Sequence, residues 1–211
     1  MIHNVKLRLP AALVLVFALG ACATAARIVY PLQSDPLKSK PGIYKLDPAH
    51  ANIIFAVNHL GFSIHHGRFN KIEGSLELNT SAPENSRVFI KINTASIDTN
   101  NSELDQKLRG RAMFNTAAFP AATFESASLL LTGEKTATIT GFLTIKDIRK
   151  SITIDADFIG SGTNPLTGLV TVGFSGSAHF KRSAFGLTNW LPLVGDNIEL
   201  TIEAEFNRAK N

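Results

Sequence analysis

The chain has 211 residues, with 21 Lys and Arg, 17 Asp and Glu, 14 Phe, two Tyr, one Trp and one Cys. Setting aside Lys6 and Arg8 of a basic leader leaves 19 basic against 17 acidic residues, which excludes the concentrated basic face that nucleic acid demands. A lone cysteine excludes an intramolecular disulfide, a CxxC redox pair and a thiolate zinc cluster, so packing alone must hold the fold.

Lys6 and Arg8 precede an apolar run from Ala11 to Ala21, which ends at Cys22. Leu19, Gly20 and Ala21 set an aliphatic residue and then two small ones before the cysteine, the pattern of a bacterial lipoprotein signal peptide. Residues 1–21 are therefore expected to be removed and Cys22 to be lipidated, giving a periplasmic protein anchored to a membrane. Ala23, rather than Asp, follows the cysteine, which directs the expectation to the outer membrane. Ala23-Thr24-Ala25 also fits ordinary signal cleavage, which would release a soluble periplasmic chain. The apolar run falls short of the ~20 residues a spanning helix needs. Residues 22–42, with Pro31, Pro36 and Pro41 and no periodicity, read as a flexible tether.

One domain is expected over residues 43–211. Its dominant pattern is alternation, which puts every second side chain on one face of a strand. Strands are predicted at Ala51 to Phe62, Phe69 to Leu78, Arg87 to Asp98, Thr123 to Leu131 and Thr136 to Lys146. Three more follow from Ile152 to Phe158, Val170 to Phe180 and Ile198 to Phe206. In the last of these Ile198, Leu200, Ile202, Ala204 and Phe206 alternate with Glu199, Thr201, Glu203 and Glu205, so one face is buried and one wet. A capping box from Ser102 to Asp105 predicts one short helix, with Leu104 and Leu108 on a common face. About eight antiparallel strands with turn-rich breaks predict an all-β chain, either a closed barrel or a two-sheet sandwich. Closure is favoured because it abolishes exposed edges. Thirteen Phe beyond the leader indicate a plainly apolar interior, filled as a core or open as a cavity.

No GxSxG, HExxH or P-loop pattern occurs, and no catalytic residue or cofactor is assigned. His50, His59, His65 and His66 cluster in sequence and could offer imidazole ligands to a metal. His65 and His66 adjoin at an expected hairpin end and read as solvent-facing turn residues, so no metal site is assigned. Arg109 and Arg111, Lys146, Arg149 and Lys150, and Lys181 and Arg182 fall near expected loops. They read as solvated charge, with an anionic head group at a barrel mouth as the alternative.

Six ordered segments carry a resemblance: Tyr44-Lys-Leu-Asp47-Pro48-Ala-His50, Phe55-Ala-Val57-Asn-His59-Leu60-Gly61-Phe62-Ser63, Gly67-Arg-Phe69, Ser96-Ile97-Asp98-Thr99, Gly141-Phe-Leu-Thr144-Ile145-Lys146 and Arg182-Ser183-Ala-Phe185-Gly186. Together, over Tyr44 to Phe206, they resemble the YceI-like family of periplasmic polyisoprenoid-binding proteins. The resemblance implies an extended, eight-stranded, lipocalin-like antiparallel β-barrel with one short helix. It also implies an apolar tunnel holding a polyprenyl lipid or quinone, and no catalysis. Candidates for the lipid-binding wall, taken from strand or motif positions, are Phe55, Val57, Phe62, Phe69, Phe89, Phe114, Phe124, Phe142, Phe174 and Phe185. Departures from the family pattern occur at Lys107, Ala112, Asn115 and Ala184, which replace a histidine and three acids. The expected partners are the isoprenoid ligand and a membrane, with homodimerisation open. The rival readings are an envelope enzyme acting on a lipid head group or through a histidine-bound metal, and a stress-related module whose barrel is filled by its own side chains.

Overall fold

Alternating sequence from Gly42 onward becomes continuous strand in the computed structural model, which describes residues 31–209. The strands are β1 (Gly42–His59), β2 (Ser63–Phe69), β3 (Ile72–Leu78), β4 (Arg87–Asn93) and β5 (Ile97–Asp98). After helix α1 (Ser102–Arg109) come β6 (Ala121–Leu131), β7 (Thr136–Ile145), β8 (Ile148–Thr163), β9 (Val170–Lys181) and β10 (Val194–Arg208). Every pairing is antiparallel, and β10 returns to pair with β1 from Tyr44 and Arg208 at one end to His59 and Val194 at the other. The ring β1-β3-β4-β6-β7-β8-β9-β10 is thus closed, an eight-stranded barrel without a free edge of its own.

The two remaining strands extend walls already present. A break at Asn70 and Lys71 divides one wall into β2 and β3, so β1 pairs with β3 along Gly42–Lys45 and with β2 along Ile54–His59. A 3-10 turn at Thr94–Ser96 likewise separates β4 from β5, which pairs with β2. At about 3.3 Å per residue the longest strands run roughly 50–60 Å, and a tilt near 40° makes the tube roughly 40 Å tall. The interior is apolar, with Tyr44, Ile97, Val172 and Phe185 fully buried. Asp155, Asp157, Glu199 and Glu203 stand on the outer faces of their strands. Among the described residues no helix is long and apolar enough to cross a membrane.

Three local readings are corrected. Residues 63–69 form strand β2 rather than a hairpin end, because β1 offers a free ladder edge there. Helix α1 is capped by the Asn101 side chain, which accepts from the Glu103 and Leu104 amides, and not by a Ser102–Asp105 box. The Asp105 carboxylate instead turns back to accept from the Thr99 amide and hydroxyl at 2.8 and 2.7 Å. The flexible tether expected over 22–42 is docked in its C-terminal part. There Gln33 and Ser161 exchange backbone hydrogen bonds, and the Ser39 and Ser161 hydroxyls meet at 2.8 Å in a buried contact. The leader, Cys22 and Ala25 lie outside the described residues.

Candidate functional site

The interior is hollow along much of the tube. An upper chamber of about 700 Å³ lies at the His59 end, and a lower one of about 200 Å³ lies at the Gly42 end. Ile53, Ile92, Leu143 and Leu200 belong to the walls of both, so the chambers adjoin at that level. Each chamber has its own aromatic cluster. In the upper one the ring centroids of Phe55 and Phe69 are 6.0 Å apart, and Phe114 meets Phe69 edge-on at 5.8 Å. In the lower one Phe174 lies 5.6 Å from Phe158 and 6.2 Å from Phe206.

Two glycines set the positions of wall aromatics. A Cβ on Gly67 would lie 2.3 Å from the tip of Phe55, and one on Gly141 would lie 2.4 Å from the tip of Phe124. Each ring therefore occupies the space its cross-strand glycine leaves free. Phe55 is kept along the wall of the upper chamber, and Phe124 reaches the wall of the lower.

Parity along the strands decides which candidates face inward. Tyr44 and Leu46 point in at the start of β1, yet Ile53 and Val57 point in further along. The switch occurs at Asp47–His50, where five steps of β1, from Leu46 to Ala51, are matched by two of β10, from Phe206 to Ala204. Of the ten candidates, Phe55, Val57, Phe69 and Phe114 line the upper chamber, and Phe124 and Phe174 the lower. Phe62, Phe89, Phe142 and Phe185 do not line the tunnel, which corrects their assignment. Phe62 sits at the β1–β2 hairpin tip and is 88% exposed. Phe89 shares the outer face of β4 with Arg87 and Lys91. Phe142 is 38% exposed on the outer face of β7, with the Arg149 guanidinium 4.3 Å above its ring. Phe185 is fully buried against Phe180, a ring that does face the upper chamber.

The upper end is capped by α1, whose Leu104 and Leu108 line the cavity, and by the loop between β9 and β10. That loop contributes Leu187, Trp190 and Leu193, and the Leu60 amide of the facing hairpin donates to the Leu193 carbonyl at 3.0 Å. Leu60, Phe62, Ile64, Trp190 and Leu193 are all exposed and give the mouth an apolar rim. The loop owes its shape to Arg182, which is 4% exposed and donates from Nε to the Gly195 carbonyl and from Nη2 to that of Val194. Its Nη1 donates to the Leu187 and Asn189 carbonyls. Burial holds this guanidinium below its ordinary pKa, although Asp196 pulls the other way. Asp196 accepts from the Ser183 amide and hydroxyl at 2.9 and 2.8 Å, fixing the turn that carries Arg182. The reading of Arg182 as solvated charge or a head-group contact is thus corrected: its donors are consumed by backbone.

The four clustered histidines do not converge. His59 and His65 stand at the upper mouth with ring centroids 6.5 Å apart, while His66 is exposed. His50 lies on the bulge of the outer wall, where its Nδ1 is 3.0 Å from Asp47. Asp47, His50 and Glu205 bring donor atoms within 4.8 Å of one another. His65 itself was misread as a turn residue: it faces inward, lines the upper chamber, and its Nε2 is buried without a partner among the described residues. It shares the parity of Gly67 and the inward candidate Phe69, the sequence signal that locates it. Of the four departures from the family pattern only Lys107 lines the cavity, and its ammonium is held by Glu103 at 2.7 Å.

A closed antiparallel barrel with an apolar interior cavity and a capping helix belongs to the broad class of hollow β-barrels. The YceI-like domain model matches residues 44–206, and the chain belongs to that family. A UPF0312 protein of Pseudomonas aeruginosa is 40% identical over 164 residues, covering 77% of this chain and 85% of that protein. Among solved structures, Burkholderia cenocepacia BcnA superposes with a TM-score of 0.69 at 22% identity, covering 76% of this chain and 98% of its own. A polyisoprenoid binding domain from Saccharophagus degradans does so at 0.60 and 15%, covering 81% of this chain and all of its own.

Proposed function

We propose that the chain binds a long isoprenoid lipid inside its tunnel and carries it, without catalysis, in the bacterial periplasm. The observation that carries this reading is the almost wholly apolar interior of two adjoining chambers that share Ile53, Ile92, Leu143 and Leu200 in their walls. Burying hydrocarbon is worth ~0.8 kcal/mol per CH₂-sized group, so a chain of tens of carbons outweighs the cost of association without any strong polar anchor. A neighbour of the same fold is a polyisoprenoid binding domain, which supports the ligand class. The lipoprotein-type leader supports a lipid anchor at Cys22 that keeps the carrier beside a bilayer.

Native mass spectrometry of the protein purified from bacterial membranes tests the proposal. The expected result is a bound lipid whose fragments step by one isoprene unit. Leu143→Trp, which fills the level where the chambers adjoin, should restrict the retained lipid to shorter chains. Folded protein that carries stoichiometric metal and never a lipid would refute the reading.

A further inference from the structure

The polar groups of the upper chamber reveal what kind of head group it can accept. Apart from the indole of Trp190 at the rim, six polar side chains reach its wall: His59, His65, Thr99, Asn101, Lys107 and Arg182. Three of them are committed elsewhere, and a fourth, Asn101, is committed in part. Arg182 spends its donors on four backbone carbonyls. Lys107 is paired with Glu103. The Thr99 hydroxyl donates to Asp105 at 2.7 Å, and the Asn101 side-chain oxygen caps α1, while its amide NH2 belongs to an exposed residue that water can serve. His59 is exposed at the rim. Only His65 presents a buried polar atom, Nε2, that has no partner among the described residues. It stands opposite Val57, one inward position below the rim pair His59 and Ser63 and one above Phe55 and Gly67.

We infer that His65 is the recognition point for the ligand's polar end, and that it selects an isoprenoid with a neutral hydrogen-bonding head over one ending in phosphate. This rests on the lipid-binding reading above. An unpaired buried imidazole nitrogen is costly to leave empty, so a ligand carbonyl or hydroxyl that meets it recovers a full hydrogen bond. A neutral imidazole can donate or accept at Nε2 according to its tautomer, which suits either group. A phosphate needs cations or several donors to replace its hydration. Of the two cations on the chamber wall, Arg182 is spent on backbone carbonyls and Lys107 is paired with Glu103. The geometry sets the polar end near the mouth and sends the tail down past Phe55, Phe69 and Phe114.

The test uses delipidated full-length protein and three probes: a polyprenyl benzoquinone, a polyprenyl phosphate of the same chain length, and squalene. Binding is read by displacement of a fluorescent apolar dye. Wild type should bind the quinone more tightly than the phosphate. His65→Leu should weaken quinone binding roughly tenfold, the worth of one hydrogen bond to a buried group, and leave squalene unchanged. His65→Gln, which keeps a donor and an acceptor, should recover part of the loss. Equal or tighter binding of the phosphate, or equal effects of His65→Leu on quinone and squalene, would overturn the assignment while leaving the lipid-binding reading intact. Failure of all three probes to bind folded protein would overturn both.

Discussion

Replacing Arg182 by Met removes the clasp of the mouth loop while keeping most of the side chain's apolar volume. Four carbonyls lose a charged donor, those of Leu187, Asn189, Val194 and Gly195. Hydrogen bonds to a charged group contribute ~1.5–3 kcal/mol each, but the guanidinium was itself desolvated, which offsets a large part of that sum. Val194 and Gly195 are only half-buried, so water can reach their carbonyls in the variant, whereas Leu187 is 4% exposed and its carbonyl stays dry. The net loss expected is ~3–5 kcal/mol, a large share of a domain's typical 5–15 kcal/mol. Arg182→Lys should fare little better, because one ammonium cannot fork to carbonyls on both sides of the loop. Urea unfolding measures the stability, and amide exchange across residues 187–194 measures the loop. A loss below ~1 kcal/mol with exchange protection unchanged would refute the argument that Arg182 holds the loop.

Phe142→Asp should leave the tunnel's lipid content unchanged in native mass spectra, since the side chain lies outside beside Arg149, while loss of a partly covered ring opposite Glu125 costs ~1–2 kcal/mol of stability. Lost lipid in a folded variant would contradict the outward placement. The Asp47–His50 contact predicts a pH window. The hydrogen bond from His50 lowers the Asp47 pKa, and the same bond, followed by the charges of Asp47 and Glu205, raises that of His50. The aspartate's stabilisation is complete above its unfolded value, near 3.8, and fades as pH falls through its lowered folded value; the histidine's is complete below about 6.5 and fades as pH rises through its raised one. The contact is thus strongest between those limits, and Asp47→Asn should bring the His50 NMR titration back down toward 6.5. An unmoved titration would sink it.

How much of this was legible before the fold was known depended on whether the partner of each residue was a side chain or a backbone. The alternation of Ile198 to Phe206 stated its own inner face, and the register with β9, from Ile198 opposite Phe180 to Phe206 opposite Val172, follows it without a slip. The outward positions of Phe89 and Phe142 were also legible: Arg87 and Lys91 share the face of one, and Thr138, Thr140 and Thr144 share the face of the other. Composition alone points such an aromatic inward, and the polar neighbours on its face reverse that. The bulge at Asp47–His50 was marked only by its proline, and without it the two inward sets of β1 cannot belong to one strand.

Two features left no pattern to find. Gly67 and Gly141 matter through the rings of Phe55 and Phe124 that cross them, partners supplied by neighbouring strands at a register no single strand encodes. Arg182 was visible as a charge, but its partners are carbonyls, which every residue carries and none advertises. Its role follows from burial, because an arginine excluded from water must spend its donors nearby. The same logic separates it from His65, whose buried Nε2 has no partner among the described residues. Of two polar residues at one mouth, the satisfied one builds the site and the unsatisfied one is left to meet what enters it.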